Sequence, residues 1–124
     1  MTDLDRADLD VDLSSPAWRA TRPLWITGAA AIIAGGIAAA VTGPTDWERG
    51  SWVAAFAVLV VGAAQIGLAA GQAMLRTAPT PASTVRAEWA MWNLGSAAVI
   101  GATLAGAPVL VTVASLPLAV AVAL

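Results

Sequence analysis

The sequence predicts an all-α integral membrane protein: a four-transmembrane-helix bundle built from two helical hairpins, preceded by a short acidic tail. Three observations carry this. Trp52–Leu75 runs for 24 residues without a charge; as a helix it is about 36 Å long, more than the roughly 30 Å hydrocarbon core of a bilayer. Charged residues make up 11% of the 124-residue chain and mean hydropathy is +0.78, whereas a soluble domain averages about 25% charged. Further apolar stretches flank that segment, separated by proline- and glycine-bearing turns.

The first fifteen residues form an acidic tail. Asp3, Asp5, Asp8, Asp10 and Asp12 surround the single Arg6, with Leu4, Leu9, Val11 and Leu13 between them. Such a composition favours a solvated, disordered segment; the sharper alternative is a recognition segment for a basic partner. The tail is unlike a secretory leader, because the first apolar run starts only at Leu24. Residues 16–124 constitute the membrane domain, with spans at about 24–41, 52–75, 88–106 and 108–124.

Ser15-Pro16 reads as an N-cap followed by proline at the first helical position. The turn it opens carries Trp18, Arg19 and Arg22, types suited to the headgroup layer. Pro23 starts the first span, Leu24–Val41, in which Ala31, Gly35 and Ala39 form a row of small residues. Thr42-Gly43-Pro44 ends it, with Gly43 as the expected left-handed cap. Thr45-Asp46-Trp47-Glu48 fits a capping box, so the second helix is expected to begin near Asp46.

The second span has two distinct sides. Ala63, Gly67 and Gly71 recur every four residues, a small-xxx-small pattern that lets another helix approach closely. Gln65 and Gln72, seven apart, share a different face. This span is therefore expected to be the most enclosed. Pro79 and Pro81 interrupt helix in the loop 77–86. The third span starts at about Glu88, with Trp89 and Trp92 at its entry and Gly101 as a further small packing position. Gly106-Ala107-Pro108 leaves room only for a tight turn. Pro117 falls inside the fourth span and is expected to kink it. The last span ends at Leu124 without a flanking charge or aromatic residue; either the terminal carboxylate marks the interface or the chain is a fragment of a longer reading frame.

Five of the six arginines lie on one side of this topology, and Arg49 alone lies on the other. The positive-inside rule counts Arg and Lys and gives carboxylates little weight, which puts both termini in the cytoplasm. All basic residues are arginine, amid abundant alanine and glycine, a composition of GC-rich bacterial genomes. The expected location is thus a bacterial cytoplasmic membrane. Trp25–Ile33 also aligns with Trp92–Ile100 at an offset of 67. The match reads either as a parallel repeat of two hairpins or as convergence between alanine- and glycine-rich helices.

Reactive chemistry is absent from this pattern. Without Cys or His there is no thiolate or imidazole for a metal, haem or proton relay. The apolar segments contain no ionisable residue; Glu88 is nearest, at the expected headgroup level beside Trp89. No phosphate-cradling glycine loop follows a strand, and no nucleophile–base pair can be assembled. No catalytic residue, cofactor site or metal site is expected, and no nucleic acid partner.

The polar residues left inside the spans are Thr27, Gln65, Gln72, Asn93, Ser96, Thr103, Thr112 and Ser115. Gln65, Gln72, Asn93 and Ser96 are the candidate polar seam. They act either as interhelical hydrogen-bonding groups or as a lining for a neutral solute or lipid headgroup. The leading expectation is a non-enzymatic structural or accessory protein, working as a homo-oligomer or with other membrane protein subunits. The alternative is a small carrier or channel for a neutral or weakly polar solute.

Overall fold

The structure is a computed structural model that describes Asp12 and residues 14–123. Most of the acidic tail, including Asp3, Asp5, Asp8 and Asp10, lies outside the described residues, as does Leu124. Among the described residues the regular structure is helical, with no strand.

Helix α1 is the single turn Pro16–Ala20. Pro16 occupies its first position, where a missing N–H costs nothing, and the Ser15 hydroxyl oxygen accepts from the Trp18 amide at 3.5 Å. Helix α2, Arg22–Thr42, follows directly. Helix α3 spans Gly50–Leu75, with a π-helical segment at Ala57–Ala63. Helix α4 is Ala82–Leu104 and helix α5 is Pro108–Ala123. Helices α2 and α3, with 21 and 26 residues, are long and apolar enough to cross a membrane. Only 17% and 22% of their most apolar windows are buried within the chain. Their apolar surface therefore faces outward, unlike that of a soluble core helix.

The turn between α2 and α3 differs from the sequence expectation. Gly43 is right-handed (φ −64°, ψ −55°), and the left-handed residue is Asp46 (φ 48°). The Thr45 hydroxyl donates backward to the Val41 carbonyl at 2.6 Å instead of capping forward. With Asp46 reversing the chain, Glu48 cannot occupy the third position of a helix capped by Thr45. The capping box is therefore unused, and α3 starts at Gly50.

Close contact between α2 and α3 is made through glycines. A methyl group on Gly28 would lie 2.9 Å from the Gly62 carbonyl oxygen, and one on Gly35 would lie 2.6 Å from Val58 Cγ2. The seam thus follows Gly28 and Gly35, seven apart, rather than the row Ala31–Gly35–Ala39. In the second hairpin Gly95 admits α5 in the same way: a methyl there would sit 3.3 Å from Pro117 Cβ and 3.4 Å from the Ala114 carbonyl. Gly28 and Gly95 are equivalent positions in the alignment at an offset of 67, and each accommodates the partner helix of its own hairpin.

The α4–α5 turn is a Schellman closure. Gly106 has φ 66°, its amide bonds the Thr103 carbonyl, and the Ala107 amide bonds the Ala102 carbonyl. Arg49, from the α2–α3 turn, donates to the Leu104 carbonyl at 2.8 Å. Both hairpin turns therefore sit at one end of the molecule, with a cation at the C-terminal end of α4, where the helix dipole favours it.

Helix α4 shares the interior with α3, which buries Gly50, Ala54, Gly62, Gln65, Ala69 and Gln72. Helix α4 contacts α2, the π segment and α5, and it buries Val85, Glu88, Trp92, Gly95, Ser96, Val99 and Ala102. The small apolar core of Leu24, Ala69 and Val85, with Trp25 against it, lies where α2, α3 and α4 meet.

Candidate functional site

The chemically distinctive part of the molecule is a row of polar contacts between α3 and α4. The buried face of α3 repeats at helical spacing through Gln65, Ala69 and Gln72. The facing stripe of α4 is Glu88, Trp92, Ser96 and Val99, again one helical turn apart. The helices run antiparallel, so Gln72 meets Glu88 and Gln65 meets Asn93.

Gln65 is fully buried, 0% exposed, and both ends of its amide are engaged. Nε2 donates to Asn93 Oδ1 at 3.2 Å. Oε1 lies 2.8 Å from the Thr27 hydroxyl and 3.4 Å from Asn93 Nδ2. Asn93 Nδ2 is also 2.8 Å from the Trp89 carbonyl, which sets its amide orientation. Thr27 has one proton to share between Gln65 and the Pro23 carbonyl at 2.6 Å, while its oxygen accepts from the Trp89 indole at 3.2 Å. Side chains from two other helices, α2 and α4, thus close on Gln65.

About two turns away along α3, Gln72 Nε2 donates to Glu88 Oε2. Glu88 is 2% exposed. The carboxyl group lies between the helices rather than on the outer surface of the bundle. That Glu88 shares a helical face with Trp92 and Ser96 was legible in the sequence, as successive four-residue steps; that this face turns inward was not. Trp92 was missed for a different reason. Its indole N–H donates to the Val60 carbonyl at 3.1 Å, inside a π segment that no residue in Ala57–Ala63 announces.

Two buried acceptors have no protein partner, Gln72 Oε1 and Ser96 Oγ. The structure therefore joins three of the four seam residues into contacts, in two separate groups, and leaves Ser96 apart. Thr112 and Ser115 bond carbonyls of their own helix. Of the small positions, Gly35 lies in the α2–α3 seam. A methyl at Gly67, Gly71 or Gly101 would meet nothing within 4 Å, and Ala63 is exposed.

Among the described residues no group of three or more metal-ligating side chains occurs. Bonds of this kind hold helices together, each contributing roughly 0.6 to 2 kcal/mol in a membrane. The exception is the Glu88–Gln72 pair, where a buried carboxyl faces a half-satisfied amide; ionisable groups so placed in membrane bundles mark functional positions. Comparison with protein-family models, with curated proteins and with solved structures gives no match, so the function is argued from this geometry.

Proposed function

We propose that the chain is a non-enzymatic accessory protein of a bacterial cytoplasmic membrane. It crosses the bilayer four times as two hairpins with both termini cytoplasmic, and it associates with other membrane subunits or with copies of itself. The observation that carries this reading is the outward row Ala63–Gly67–Gly71. It has the spacing of a close-packing helix face, yet nothing within the chain packs on Gly67 or Gly71. The polar groups add support, since most of them bond to one another rather than line an open path.

Blue-native electrophoresis in mild detergent tests the reading. The native chain is expected to migrate as a defined larger species. Gly67→Leu with Gly71→Leu is expected to shift it to the monomer, because the branched side chains hold two backbones apart. A native chain that is strictly monomeric with no co-purifying partner would overturn it.

The Glu88–Gln72 pair and the two orphan acceptors favour a second reading, a small carrier for a neutral or weakly polar solute. Gln65→Leu with Gln72→Leu separates the two. A carrier loses uptake while remaining folded, whereas an accessory protein changes in assembly or stability.

A further inference from the structure

At the α1–α2 junction an open cleft of about 490 Å³ is lined by Arg19, Arg22, Pro23, Ile26, Thr27 and Trp89. Its two guanidiniums are exposed. The Trp89 ring at its edge is tethered through its indole N–H to Thr27. Asp12 is the described carboxylate nearest in influence. The Ser14 hydroxyl and amide hold its acid group below the usual value, and Arg19 adds the smallest favourable pull. One of its two oxygens, Oδ1, accepts both bonds from Ser14.

Below the cleft the same face of α2 stays apolar and open. Ile26, Ile33 and Ile37 are 41%, 66% and 62% exposed, and steps of seven and four keep them in line. Two planar cations above a stripe of aliphatic side chains match one ligand shape: an anionic headgroup joined to a hydrocarbon tail. Guanidinium pairs phosphate oxygens in a bidentate manner, and an indole suits the interfacial level between head and tail.

We propose that this cleft binds an anionic membrane phospholipid, with Arg19 and Arg22 on its phosphate, Trp89 at the glycerol level and an acyl chain along Ile26, Ile33 and Ile37. The inference rests on α2 lying in a bilayer. It does not depend on the association proposed for α3.

The test is native mass spectrometry of the full chain, extracted in mild detergent, delipidated, and titrated with phosphatidylglycerol or phosphatidylcholine. The native chain is expected to prefer phosphatidylglycerol. Affinity should fall roughly fivefold for each arginine removed in Arg19→Gln and Arg22→Gln, given about 1 kcal/mol per basic residue at an anionic surface. Phosphatidylcholine binding should not change. Arg86→Gln, on the same side but outside the cleft, should keep the preference; an equal loss there would reduce the effect to net charge and overturn the site. Equal phosphatidylglycerol binding by the native chain and the double variant overturns it as well. Displacement of the lipid by millimolar inorganic phosphate would identify a phosphate site instead and overturn the lipid assignment. Carbonate extraction of the membranes reads the bilayer premise separately: release of the chain removes that premise, whereas retention with unselective lipid binding refutes only the cleft.

Discussion

The indole N–H of Trp92 on α4 donates to the backbone carbonyl of Val60 on α3, 3.1 Å away, within the π-helical segment Ala57–Ala63. A π turn changes the register of the backbone ladder and leaves a carbonyl in need of a donor. Trp92 offers a donor from the neighbouring helix to the Val60 carbonyl of this segment. Trp92→Phe keeps an aromatic ring and removes the donor. It is expected to cost about 1 to 2 kcal/mol, read as earlier unfolding of the detergent-solubilised chain. Unchanged stability would show that the π segment needs no outside partner.

The glycines divide into two classes with opposite expected responses. Gly28→Ala and Gly35→Ala force a methyl against the backbone or side chains of α3 and should destabilise by about 1 to 3 kcal/mol each. Gly67→Ala meets no neighbour and should stabilise the monomer by up to about 1 kcal/mol, through higher helix propensity. Thermal unfolding of the three variants in one detergent checks the contrast; similar losses at all three positions would contradict it.

At the Glu88–Gln72 pair, the orphan Gln72 Oε1 decides the outcome. Glu88→Ala removes the acceptor for Gln72 Nε2 and leaves the whole buried amide without a partner, costing about 1 to 3 kcal/mol. Glu88→Gln retains an acceptor and adds a donor for the orphan oxygen. It is therefore expected to remain within about 1 kcal/mol of the native chain. A large loss in Glu88→Gln would show that the carboxyl group itself is needed, and would strengthen the carrier reading.

Asp46 holds a left-handed backbone (φ 48°) in the α2–α3 turn. Asp46→Gly relieves that strain but raises the entropy of the unfolded chain, so a net gain of about 0.5 kcal/mol is expected. Asp46→Val places a β-branched residue there and should cost more than 1 kcal/mol. Chemical denaturation of the pair reads the difference.

Much of the architecture was legible before any coordinates, because its signals are local. An uncharged run from Trp52 to Leu75 makes a long helix whatever surrounds it, and Gly106-Ala107-Pro108 makes a tight turn. The segregation of Gln65 and Gln72 from Gly67 follows from helical periodicity alone. The turn at 43–49 was misread, although every residue of a capping box is present. Thr45 can cap forward or bond backward with equal local ease, and the path of the chain into α3 decides between them.

The sequence by itself determined which segments are helical, roughly where they stop, and that α2 and α3 are long and apolar enough to cross a membrane, since these depend on neighbours within about one turn. Only the tertiary structure decided which glycines form seams, and that Glu88 lies inside with Gln72. It also decided that Trp92 bonds a backbone carbonyl of another helix. Each of these depends on the rotation and register of one helix against another. Helices with so many small residues on every side offer several such packings of similar local cost, so the choice falls to contacts between segments distant in the chain.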